Sequence, residues 1–268
     1  MDDFAQLYET VCTWVNNNLE NPNQLIDICV RTVGHNNSSQ ANVVYWDSPD
    51  NGRPLFEPST LKVFHNGRVN ATSWQDCMNR EVALIQAHVE SLAAVVVHDQ
   101  NNHDASIGWV AVFQWVNAAS NDPDDPAWSN DPEVSSPPVA SAMTGTVRHH
   151  TIYSMDDHAP IYGQVCAWIN SNLKNPNQLI DICQRTVAHN NHSMANVVYF
   201  DSPDNGRPAC EPSTLRVFHS GCQNQPWQPF MDSQCALIQT HAESLAAVVV
   251  HDQNNHTPQG WVGVFKWD

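Results

Sequence analysis

The sequence predicts an α+β protein built as two homologous tandem domains, each an antiparallel sheet packed against two or three helices. Three observations carry that expectation. Fourteen residues, Glu90 to His103, recur letter for letter as Glu243 to His256, so one structural unit is written twice. Apolar residues fall into stripes with a period near 3.6, alternating along the chain with short runs of Val, Ile, Tyr and Trp. Asn51-Gly52 and Asn66-Gly67 punctuate those runs with the positive-φ chemistry of tight hairpins.

Taken in order, Phe4, Leu7, Tyr8, Val11, Cys12, Val15 and Leu19 line one face and predict an amphipathic helix. Asn21-Pro22 then pairs an N-cap residue with proline at the first helical position. Leu25, Ile26, Cys29 and Val33 extend this into a second helix ending near Gly34, with Val30 (Gln184 in the second copy) on its wet face. Ala41 to Trp46 and Thr60 to His65 read as strands. From Asn21 to His65 the copies align without gaps, and 37 of 45 positions are identical. Arg80 to Leu92 reads as a third helix, with a period-2 strand as the rival. Ala94 to His98 and Trp109 to Trp115 read as the closing strands. The expected domains are residues 1–116 and 155–268. Residues 117–154 form an acidic, Pro-rich linker, where proteolysis should release two folded halves.

Composition narrows the function. Against 28 Asp plus Glu stand only 11 Lys plus Arg, a net charge of −17, which argues against nucleic acid and anionic membranes as partners. No apolar run reaches the length of a membrane span. The start Met-Asp-Asp-Phe-Ala-Gln has neither the basic nor the apolar region of a secretory signal, so the expected location is cytoplasmic. Thiols are then the default for the eight cysteines. Cys12/Cys29 and Cys166/Cys183 recur on apolar stripes, where core packing is favoured over a bridge, although the sequence leaves their disulfide state open. Gly-x-Ser-x-Gly, Pro-Cys-x-x-Cys and phosphate-cradling glycine loops are absent from the sequence.

Two sets of residues could carry chemistry. The first is the strand-end cluster of the exact repeat: His98, Asp99, Asn101, Asn102 and His103, with His251, Asp252, Asn254, Asn255 and His256 as its copy. The second is tryptophan, of which there are ten. Trp14, Trp109 and Trp115 read as core, whereas Trp74 and its counterpart Trp227 fall in a polar loop and read as exposed stacking platforms. Aromatic faces beside amides and carboxylates suit a sugar, stacking on its C–H face and bonding its hydroxyls. The expected function is therefore a tandem-repeat, lectin-like carbohydrate-binding protein with one site per repeat, taking a glycan or small molecule. Binding through histidine should weaken between about pH 7 and 5.5. The alternative is an enzyme using the duplicated His, Glu and Asp set. It would need no certain cofactor, or else a divalent metal held by His88, Glu90 and His98 and by His241, Glu243 and His251.

Overall fold

The computed structural model describes residues 3–33, 38–67, 73–99, 108–117, 143–154, 158–187, 192–222, 225–252 and 260–268. Among the described residues, four α-helices and eleven strands give a mixed α+β fold. The helices are α1 (Asp3–Asn18), α2 (Trp74–His88), α3 (His158–Asn172) and α4 (Trp227–Thr240). The first repeat holds β1 (Leu25–Val33), β2 (Ser38–Tyr45), β3 (Ser59–Gly67), β4 (Leu92–Asp99) and β5 (Gly108–Asn117). Six more strands follow: β6 (Val147–Ser154), β7 (Leu179–Val187), β8 (His192–Phe200), β9 (Leu215–Cys222), β10 (Leu245–Asp252) and β11 (Gly260–Trp267).

The third helix runs from Trp74 to His88 instead of Arg80 to Leu92, with Leu92 opening β4, and two further sequence expectations change here. Residues after Asn21 make a single 3-10 turn, Pro22–Gln24, and then strand β1 instead of a second helix. The N-cap is real: Asn21 and Gln24 form a reciprocal capping box. The run Leu-Ile-Asp-Ile-Cys-Val-Arg-Thr-Val is rich in β-branched residues, and from Leu25 to Arg31 both faces are largely buried, so helix-like apolar spacing carries no information there. Gln184 accordingly is buried, not wet. The second change is β6, which lies within the tract read as linker and pairs with β8 over eight residues.

The strands repeat on a shorter period than the sequence does. β3-α2-β4-β5, β6-α3-β7-β8 and β9-α4-β10-β11 are three β-α-β-β units, each an antiparallel sheet in which the last strand lies between the first and second. α1-β1-β2 is the same unit without a leading strand among the described residues. The helix of each unit packs on the first strand of the next: α1 on β3, α2 on β6, α3 on β9. Asn16 fixes the first of these contacts, donating to the Leu61 carbonyl and accepting from its N–H, and Asn170 does the same at Leu215.

The second strands, β1, β4, β7 and β10, form a closed ring of neighbours that mixes the two repeats. Burial follows the same plan. One apolar cluster joins Trp74, Met78 and Val97 to Cys183, Val198 and Phe200, and another joins Cys29 and Val44 to Phe230 and Val250. Residues of both repeats therefore share two of the four apolar clusters.

Candidate functional site

The strand-end cluster is placed only in part. His98 lies in β4 with 1% exposure, its Nε2 3.5 Å from Ser39 Oγ. Burial, helped by the Arg185 guanidinium, pushes its pKa down from 6.5 to about 3. His98 is therefore neutral through the range in which the sequence reading had it titrate. The backbones of Asp99 and Asp252 pair with Gly108 and Gly260, and that of His251 pairs with Trp261. Asn101, Asn102, His103, Asn254, Asn255 and His256 lie outside the described residues.

Trp74 is not the exposed platform expected of it. It opens α2 behind the N-cap Ser73 and is 8% exposed. Its indole N–H donates to Asn196 Oδ1 at 3.2 Å, and the Arg185 guanidinium lies 3.9 Å over its ring. Trp227 repeats this against the first repeat, donating to Asn42 Oδ1 at 3.0 Å beneath Arg31. Gly108 makes room for the sandwich, since a Cβ there would come within 2.6 Å of Arg185 and 2.9 Å of Trp74. These tryptophans lock one repeat onto the other, and guanidinium groups occupy the faces that a sugar would need.

The described metal candidates engage other groups. His88 stacks on Phe64 and His241 on Phe218, while Glu90 is exposed beyond the end of α2. Among the described residues, no three His, Cys, Asp or Glu side chains are grouped to hold a metal ion.

Where the second strands meet, the structure assembles a cluster that the sequence reading passed over. Asp27 accepts from the N–H groups of Ile28 and Val248, and Asp181 from those of Ile182 and Val95. The thiols of Cys29 and Cys183 donate to the carbonyls of Val248 and Val95. Burial raises both carboxyls, Asp181 to about 6, and the Asp181 charge raises Asp27 further. The space between them is about 20 Å³, room for about one water. This is a cross-repeat clasp. All eight cysteines are free thiols, and burial pushes those of Cys29 and Cys183 well up, away from the nucleophilic thiolate. The signal in the sequence was Leu-Ile-Asp-Ile-Cys in both copies, an acid inside a β-branched run.

An accessible feature lies at β2. Its only strand neighbour among the described residues is β1, whereas the equivalent β8 lies between β7 and β6. Under β6, Ala195, Asn196, Val197 and Val198 are fully buried, and His150 stacks on Trp168 at 4.2 Å with the rings nearly parallel. In the first repeat Ala41, Asn42 and Val43 are half-buried. There Trp14, the counterpart of Trp168, and Tyr45 are 37% and 44% exposed. Trp14, read as core from the sequence, is a surface residue packed edge-on against Tyr45.

No known protein family matches this chain, and neither a curated protein nor a solved structure is found to be similar to it. No helix among the described residues is long and apolar enough to cross a membrane.

Proposed function

We propose that this chain is a non-catalytic binding protein whose ligand is an extended polypeptide strand laid along the edge of β2. One observation carries the reading: the same edge in the second repeat is covered over eight residues by β6, while in the first no strand among the described residues covers it and exposed aromatic rings lie beside it. Open edges are normally blunted by lysine, proline or inward charge, and Ser-Ser-Gln-Ala-Asn-Val-Val-Tyr has none of these. Strand addition supplies affinity through the backbone and specificity through alternate side chains. Of the residues the enzyme alternative would use, His98 is buried in β4 beside Ser39. A glycan keeps one support, the exposed Trp14–Tyr45 pair, and a glycan array is its test.

The direct experiment titrates a synthetic peptide of the β6 sequence, Val147 to Ser154, into the intact chain by calorimetry. One peptide should bind per chain, and Trp14→Ala should weaken it about tenfold through the lost ring stack. Fusing the same eight residues ahead of Met1 should abolish binding in trans and raise the melting temperature. Absence of binding at about millimolar peptide, or binding untouched by the fusion, refutes the reading.

A further inference from the structure

Resting on that strand-binding reading, the geometry points to the chemistry of the ligand: we propose that the β2 edge selects a basic strand, with two successive cationic side chains directed to Asp47 and Asp232.

The pattern comes from how the chain holds its own β6. Arg148 Nε lies 3.8 Å from Asp201 Oδ2. His149, the next residue, projects to the other face, where its Nε2 is 3.1 Å from Asn79 Oδ1 and 2.8 Å from Gln75 Nε2 on α2. Gln86 Oε1, near the end of the same helix, accepts from the Val147 N–H. Thr151 donates its hydroxyl to Asn196 Oδ1, the oxygen that also takes the Trp74 indole N–H. β6 is thus read by side chains of α2 on one face and by the Trp168 ring of α3 on the other.

The β2 edge carries the same readers, with one change of charge. Asp47 stands in the place of Asp201, and Trp14 in the place of Trp168. Trp227 anchors α4 to Asn42, so α4 borders β2 as α2 borders β8. On α4, Gln228, Asp232 and Gln239 occupy the positions of Gln75, Asn79 and Gln86, and all three are exposed. Gln228 donates to Asp232 at 3.0 Å, as Gln75 does to Asn79. Asn79, a neutral acceptor for imidazole, has become a carboxylate. An edge flanked by Asp47 and Asp232, on a chain of net charge −17, complements a strand that brings positive charge to both positions.

The test compares three peptides on the intact chain: the β6 sequence with His149→Lys, the same sequence with Arg148→Gln and His149→Gln, and one with Glu at both positions. At low salt the dibasic peptide should bind about ten-fold tighter than the diamide, and the diacidic peptide should be weakest. Asp232→Asn should cut the dibasic peptide's advantage about three-fold and leave diamide binding unchanged. Asp232 is exposed, so this variant should keep the wild-type melting temperature. Equal affinity for all three peptides would overturn the charge reading while leaving strand binding intact. No binding by any peptide, or a dimer that closes the β2 edge against a second copy, would overturn both.

Discussion

Replacing Asp181 with asparagine should alter how stability depends on pH. In the folded chain burial raises this carboxyl from 3.8 to about 6, so between those values the folded state holds a proton that the unfolded state has lost. The associated stability is fully present below the unfolded value and is lost as pH rises through about 6. At about 1.4 kcal/mol per pKa unit the full difference is roughly 3 kcal/mol, of which roughly 2 kcal/mol falls between about pH 4 and 7. His98 acts in the opposite sense. Its pKa, lowered to about 3, costs stability as pH falls below 6.5, but it is common to both proteins and cancels in their difference. The introduced amide would keep one acceptor for the two N–H groups that Asp181 now satisfies, so the variant starts with a constant deficit at every pH. Urea unfolding followed by tryptophan fluorescence gives both stabilities at each pH. The deficit should shrink by at least roughly 2 kcal/mol between about pH 4 and 7, and further above it. The Asp181 charge that raises Asp27 in the wild type is absent from the variant, and its effect adds in the same direction. A deficit independent of pH would mean that Asp181 ionises as an ordinary surface carboxylate, and the account of the clasp would fail.

Other outcomes follow from the shared cores. Residues 1–116 and 155–268 expressed separately should each lack a cooperative unfolding transition, because the ring of β1, β4, β7 and β10 needs both; two independently cooperative halves would contradict this. Trp74→Ala should cost about 3–5 kcal/mol and Trp74→Phe about 1–2, the latter chiefly for the lost indole bond to Asn196; equal, small losses in chemical unfolding would show the anchor to be unimportant. His98→Gln should flatten the loss of stability below about pH 6, since a neutral amide has no proton to take up on unfolding; an unchanged acid limb would place the cause elsewhere.

Much of the architecture was legible in the sequence, and physical reasons mark where legibility ended. The duplication, helix α1, the Asn21-Pro22 cap and strands β2 to β5 follow from local pattern: α1 keeps one wet face, Asn-Gly pairs follow β2 and end β3, and β4 and β5 are short Val-rich runs although both are largely buried. The start of α2 at Trp74 was missed because Gln75, Asp76, Asn79 and Arg80 break up its apolar pattern, and Trp74, Cys77 and Met78 are buried in a cluster shared with the other repeat. β1 was misread because a strand buried on both faces shows no alternation, leaving β-branching as its only signal. β6 was taken for linker because its partner, β8, is some forty residues further on and only pairing reveals it as a strand. The tryptophans changed places for a related reason. Sequence places a ring on a helix or in a loop, but whether Trp14 or Trp74 is covered depends on which surface of the other repeat arrives there. By itself, then, the sequence determined that a unit is repeated, what most elements are, and that the chain is acidic. The tertiary structure alone decided that the repeats share their cores, that Asp27 and Asp181 meet, and that one sheet edge is covered while its twin has no strand over it among the described residues. Those are relations between residues far apart in the chain, and no local periodicity encodes them.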